Sequence, residues 1–142
     1  MPSGRCARIA ELPPQAHALL VDARRAVLST LTRDGTPHAV PICFAIRGEE
    51  LVMEVDDKPK RTTSLARLDN IRSDPRVAVL VDRWDEEWTH LAWVMVRGIA
   101  RVEEPGSATD PLRAKYPQYN ETAVTGPVIA IRPGVINWWS WS

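Results

Sequence analysis

Lys58, Lys60 and Arg61 fall within four residues, in the run Asp56-Asp57-Lys58-Pro59-Lys60-Arg61-Thr62-Thr63. A strand-like stretch, Leu51 to Val55, precedes this run, and a helical stripe of Leu65, Leu68 and Ile71 follows it and stops at Asp74-Pro75. Cations at a helix start oppose the helix dipole unless an anion lies there, whereas the free N–H groups, the dipole and cationic side chains together hold a phosphate. Thr62 and Thr63 supply hydroxyl donors or the N-cap. The segment points to a phosphate pocket. The competing reading is a solvated loop whose charges offset Asp56 and Asp57.

A second feature is the alternation from Pro37 to Ile46. One face carries Val40, Ile42, Phe44 and Ile46, and the other Ala39, Pro41, Cys43 and Ala45. Only small side chains line the second face, so a flat group can approach the backbone there; small residues also fill the tapered inside of a small barrel. His38 precedes this face, either as a contact to a ligand or as an exposed turn residue. Pro41 donates nothing to a ladder, which suggests a bulge or an unpaired stretch.

Other constellations carry less. His17, His38 and His90 lack metal-ligand spacing, and Cys6 and Cys43 form no C-x-x-C pair, so a zinc site or disulfide framework is not expected. Cys43 reads as a buried, inert thiol. No nucleophile elbow or Walker loop is present. The adjacent carboxylates Asp56-Asp57 and Glu86-Glu87 would point to opposite sides of a strand and do not make an acid–base pair. Of six tryptophans, three end the chain in Asn137-Trp138-Trp139-Ser140-Trp141-Ser142. Chain ends normally fray, so this apolar load implies docking on a dimer partner, on a flat cofactor or on the protein's own barrel.

The elements that must position these residues follow from period and punctuation. Pro13-Pro14 opens a short amphipathic helix over residues 13 to 25, with Ala16, Leu19, Leu20 and Ala23 on one side. Strands are predicted over residues 26–32, 37–46, 51–55, 77–82 and 91–102. A last strand, 128–139, is interrupted at Pro133-Gly134. Asp34-Gly35 and Arg47-Gly48 are hairpin turns, and Gly98 marks a bulge or bend. A helix covers Asp110 to Tyr116. Six or seven strands with short helical insertions imply a mainly β, antiparallel split β-barrel, one domain over residues 1–142 with its core at about 12–139.

Composition bounds the function. The 18 basic and 18 acidic side chains give a net charge of zero, without the basic excess expected of a nucleic-acid binder. The start, Met1-Pro2-Ser3-Gly4-Arg5, has no apolar leader, and no run is long enough to span a membrane. A cytoplasmic protein is expected.

The segments Leu28-Ser29-Thr30-Leu31, Asp34-Gly35-Thr36-Pro37-His38, Val40-Pro41-Ile42, Lys58-Pro59-Lys60 and Asn70-Ile71-Arg72-Ser73-Asp74-Pro75-Arg76-Val77-Ala78-Val79-Leu80 resemble the pyridoxamine 5′-phosphate oxidase-like superfamily. Within it, the chain is most similar to the small bacterial oxidoreductases that use coenzyme F420, a deazaflavin. The resemblance implies a homodimer with two cofactor sites at the interface and a small-molecule substrate. It puts the cofactor phosphate on Lys58, Lys60, Arg61 and Thr62, beside Val55 and Asp56. The ring would lie along His38, Ala39, Val40, Pro41, Ile42 and Cys43, with Trp138 and Trp139 of the partner completing the pocket. FMN-binding members carry Ser and Asn in the segment after the third strand where this chain has Asp56-Asp57-Lys58-Pro59-Lys60, which favours F420 over FMN. Hydride transfer to an electron-poor organic acceptor is the implied reaction. An FMN oxidase or flavin reductase, and a non-catalytic F420 carrier, are the alternatives.

Overall fold

The computed structural model describes residues 2–55, 61–120 and 126–142, and gives the backbone alone for 61–65 and 120. Its strands are β1 (Ser3–Cys6), β2 (Ala26–Leu31), β3 (Pro37–Ile42), β4 (Ala45–Arg47), β5 (Glu50–Glu54), β6 (Arg76–Arg83), β7 (Ala92–Glu103) and β8 (Val128–Ser140). Its helices are α1 (Pro14–Asp22), α2 (Arg61–Ser73) and α3 (Thr109–Lys115). The strands form one antiparallel sheet in the order β3-β2-β6-β7-β8-β5-β4, with β1 added to β8. The sheet curls into a half-barrel, the expected split-β-barrel class.

Long β8 makes this order feasible. One edge pairs along its length with β7; on the other, Val128–Ile131 pair with β5 and Ile136–Trp139 with β1. The expected interruption at Pro133-Gly134 is instead a bulge within one continuous strand. Arg97 pairs with Val135 and Gly98 with Pro133, so Gly134 is the extra residue. Gly98 is required opposite it, because a Cβ there would lie 2.2 Å from the Arg132 carbonyl oxygen.

Alternation decides what the curl encloses. Leu28, Ile42, Phe44, Met53, Val96 and Ile131 point inward and are buried. Each such side chain contributes about 1.5–3 kcal/mol. On the reverse side, α3 places Leu112 and Tyr116 over Ala45, Val52, Val128 and Ala130 to form a second, smaller core. The Tyr116 hydroxyl accepts from the Phe44 N–H (3.2 Å) and donates to the Arg24 carbonyl (2.9 Å). Phe44 N–H is thereby turned away from the ladder, which is why β3 stops at Ile42 and the chain resumes as β4 at Ala45.

Several expectations need correcting. Pro41 sits in regular register opposite Val27 with no bulge, on an edge strand of the path, where a residue lacking N–H is tolerated. Cys43 is exposed, because it belongs to the outward-facing set of its strand. The first helix ends at Asp22, and Ala23 is its extended C-cap. β1 was not anticipated, since Ser3-Gly4-Arg5-Cys6 has no apolar alternation and is a strand only because β8 offers it an edge.

Candidate functional site

The outer side of β3, β2, β6 and β7 is covered by no described element. Register aligns its residues in rows across the strands. One row is Pro41, Val27, Leu80 and Met95; the next is Ala39, Ser29, Ala78, Arg97 and Val135. The first row is apolar and open, with Val27 40% exposed and Leu80 41%, and the far rim sets Ile99, 45% exposed, beside Arg76. Between them Ala39, Ser29 and Ala78 form a low floor. Strands lie about 4.8 Å apart, so these three positions span roughly 10 Å. An open trough of about 600 Å³ includes Ser29, Ala78, Gly98 and Ile99, with Arg76 and Arg97 at its border.

The two arginines differ in charge balance. Arg76 is bidentate to Asp74 (3.0 and 2.7 Å), whose carboxyl is thereby held down to about 2. Arg97 donates to the Asn137 side-chain oxygen at 2.9 Å, and its row neighbours Ala78 and Val135 are uncharged. A neutral amide fixes the guanidinium without cancelling its charge. The trough thus has an apolar floor for a flat group and a fixed cation beside it.

Ala39 and Pro41, together with Cys43, face outward on this floor's edge. Val40 and Ile42 turn inward against the main core, so their side chains face away from the trough. His38 also turns inward, opposite Thr30, and its Nδ1 is buried without a hydrogen-bond partner. Val55 is buried at the end of β5, its N–H donating to the Pro127 carbonyl at 2.8 Å. Arg61 and Thr62 lie within α2, where only their backbone is described, so neither Thr62 nor Thr63 is its N-cap. Asp56, Lys58 and Lys60 lie outside the described residues.

The adjacent tryptophans of β8 part company. Trp138 packs on the main core, and its ring lies over Gly4, where an added Cβ would come within 2.7 Å of it. Trp139 is the cross-strand neighbour of Trp93 on the opposite side. Together with Pro13, Pro14 and Leu19 they border a 380 Å³ pocket at the end of the barrel. β8 lies four strand positions from β3, about 19 Å along the sheet, so one chain does not bring these rings to the small face of β3.

On the inner side, α2 docks through Leu68 and Ile71, and Asn70 donates to the Thr30 hydroxyl at 3.0 Å, both residues buried. Asn70 thus ties α2 to the β2–β3 hairpin. Arg67, one turn earlier, has a buried Nε without a partner, and burial pushes its pKa below the ordinary arginine value.

Sequence reasoning found the small side of β3 but missed Ser29, Ala78, Arg97 and Arg67. The available signal was the outward position of Ser29 and Ala78 within two apolar strands. What places them beside Ala39 is the pairing register.

A family model described as pyridoxamine 5′-phosphate oxidase matches residues 12–136. Among solved structures, the conserved hypothetical protein Rv2991 from Mycobacterium tuberculosis superposes with a TM-score of 0.71 at 21% identity, over 92% of this chain and 86% of that one. A protein described as an F420 reductase gives 0.63 at 23% identity, over 88% and 98%. The FAD binding protein from Mycobacterium smegmatis gives 0.58 at 19% identity, over 90% and 95%. At these identities the superpositions speak to the fold. Among the described residues no helix is long and apolar enough to cross a membrane.

Proposed function

The chain belongs to the pyridoxamine 5′-phosphate oxidase family, and from that premise we propose that it is an oxidoreductase holding a deazaflavin of the F420 type on the outer face of the sheet. The observation that carries this reading is the row Ala39, Ser29 and Ala78, a floor wide enough for a fused three-ring system and free of protruding side chains. When bound, a deazaflavin supplies hydride to, or takes it from, a small electron-poor organic molecule. The chain's own residues position the reactants and exclude water. Val27, Leu80 and Ile99 wall the floor, and Arg97, held by Asn137, orients a carbonyl or anionic edge of ring or substrate. The phosphate belongs to the start of α2, with Arg61, Thr62 and the preceding Lys58 and Lys60.

The uncovered apolar face also supports a homodimer in which a second copy closes each trough. The partner's Trp139 is then available to complete it, whereas Trp138 is engaged by its own core. Likeness to a protein described as an F420 reductase and the missing Ser and Asn after the third strand support the deazaflavin. Likeness to a protein described as FAD binding keeps a flavin, FMN above all, as the second reading.

Titration of the purified protein with F420 and with FMN, followed by fluorescence quenching and polarisation, separates these readings. Micromolar binding of F420 with weaker FMN binding supports the first. Yellow, FMN-loaded protein supports the second. Binding of neither ligand refutes both. Turnover with a panel of quinones and conjugated alkenes distinguishes an enzyme from a carrier.

A further inference from the structure

Lys115, the last residue of α3, carries an amine that is buried without a hydrogen-bond partner. Its Nζ lies 3.8 Å from the centre of the Phe44 ring and 5.4 Å from that of Tyr116. Ring faces draw a cation but do not replace the acceptors that an ammonium has in water. The other charge at the same tyrosine has the same sign, since the Arg24 guanidinium lies 4.6 Å from the Tyr116 ring centre. Arg47 and Arg101 each pair with both Glu50 and Glu103, but among the described residues neither Lys115 nor Arg24 is paired with a carboxylate. Burial, aided by the Arg24 charge, pushes the Lys115 pKa down to about 8, while Cys43 and Asp22 act in the opposite direction. Lys115 and Arg24 both line an open pocket of about 540 Å³, together with Asp22, Ala45 and Ile46.

We propose that Lys115 is a modification site at which carbon dioxide adds to the amine, and that Arg24 is the counterion of the carbamate formed. A lysine attacks an electrophile only as the neutral amine, so an environment that withholds acceptors and adds a like charge favours the reactive form. Near neutral pH, an amine with a pKa of about 8 is neutral on the order of a hundred times more often than an ordinary lysine. Carbon dioxide is small, apolar and uncharged, so it enters an aromatic niche that excludes charged electrophiles. The nitrogen lone pair forms the N–C bond, one C=O π pair moves onto oxygen, and the amine proton leaves to solvent; no oxidant or reductant takes part. The product reverses the sign of the side chain, and the pocket has room for its carboxylate. Repulsion between Lys115 and Arg24 becomes attraction, which ties the end of α3 to the connection between α1 and β2. Tyr116 already joins the same two segments, its hydroxyl donating to the Arg24 carbonyl at 2.9 Å. Asp22 is the opposing charge. The site does not depend on the cofactor reading.

The test equilibrates the native protein with isotopically labelled bicarbonate and carbon dioxide, traps carbamates by alkylation with a trialkyloxonium salt, and reads the label at each amine by peptide mass spectrometry. The chain has three lysines, so Lys58 and Lys60 serve as internal references. Lys115 should carry at least about tenfold more label than either, and unfolding in urea should abolish that preference. Arg24→Gln removes both the like charge that lowers the amine's pKa and the counterion of the product, so labelling of Lys115 falls several-fold. Arg24→Lys keeps part of it, and Asp22→Asn, which removes the opposing charge, raises it. Melting curves establish that each variant is folded. Equal label on the three lysines, a preference that survives unfolding, or a Lys115 label indifferent to both Arg24→Gln and Asp22→Asn overturns the proposal. Should Arg24→Gln not fold, Asp22→Asn and the urea comparison decide it.

Discussion

Ala78→Leu tests the trough most directly. Ala78 is half-buried at the β7 end of the floor, between Ser29 on β2 and Arg97 on β7, and its side chain points away from the core. A leucine there stands up into the trough without displacing any core residue. The floor spans roughly 10 Å across the strands and about 7 Å along them, so a flat ligand covers on the order of 70 Å². Lifting it off loses about 25 cal/mol per Å², close to 1.8 kcal/mol, or about a 20-fold rise in Kd. F420 and FMN affinities are read by fluorescence titration, thermal unfolding reports stability, and sedimentation reports the oligomeric state. The expected result is weakened binding with a melting temperature within a few degrees of wild type. Ala78→Ser, which keeps the floor low, should bind within about twofold, since removing no stacked area forfeits no burial. Unchanged affinity in Ala78→Leu, together with an unchanged melting temperature, would refute the placement of the ring on this floor.

Gly98→Ala should destabilise by about 2–3 kcal/mol or prevent folding, because its Cβ meets the Arg132 carbonyl at 2.2 Å and backbone must shift; urea unfolding measures this. Tyr116→Phe strands the buried Phe44 N–H and removes the bond to the Arg24 carbonyl, at a cost of about 1–3 kcal/mol by the same assay. Arg47 and Arg101 hold the carboxyls of Glu50 and Glu103 down to about 2 from an ordinary 4.5. A folded-state value below the unfolded one means that this stabilisation is complete above about pH 4.5 and is lost as pH falls towards 2. Melting temperatures of wild type and of Glu50→Gln/Glu103→Gln should therefore differ at pH 6 and converge near pH 2.

Much of the fold was readable because its signals are local. Asp34-Gly35 closes the β2–β3 hairpin, with Gly35 at φ 83°, and Asp74-Pro75 ends α2, each through the conformational preference of one or two residues. β1 was not readable, since nothing in Ser3-Gly4-Arg5-Cys6 favours a strand until the C-terminal half of β8 presents an edge. Continuous β8 was hidden for a similar reason: Pro133-Gly134 reads as a break, and only the close approach of Gly98 shows that the strand absorbs it as a bulge.

The site divides along the same line. Alternation in Pro37 to Ile46 separates a large-residue side from a small-residue side, but both sides of a half-barrel strand can be covered, and period alone does not say which one is. The structure decides it through α3. That helix is short and buries the reverse side of β4, β5 and β8 around Leu112 and Tyr116, and no described element covers the reverse side of β3, β2, β6 and β7. Ala45 and Cys43 show the boundary within two residues: both belong to the small-residue side, yet Ala45 is buried under α3 and Cys43 is exposed beyond it. Among the described residues this side of the sheet stays largely apolar and low, which is the ground on which the proposed cofactor site rests. On that surface the charge of Arg97 is held in place but not neutralised, which favours an electron-rich edge over a purely apolar partner.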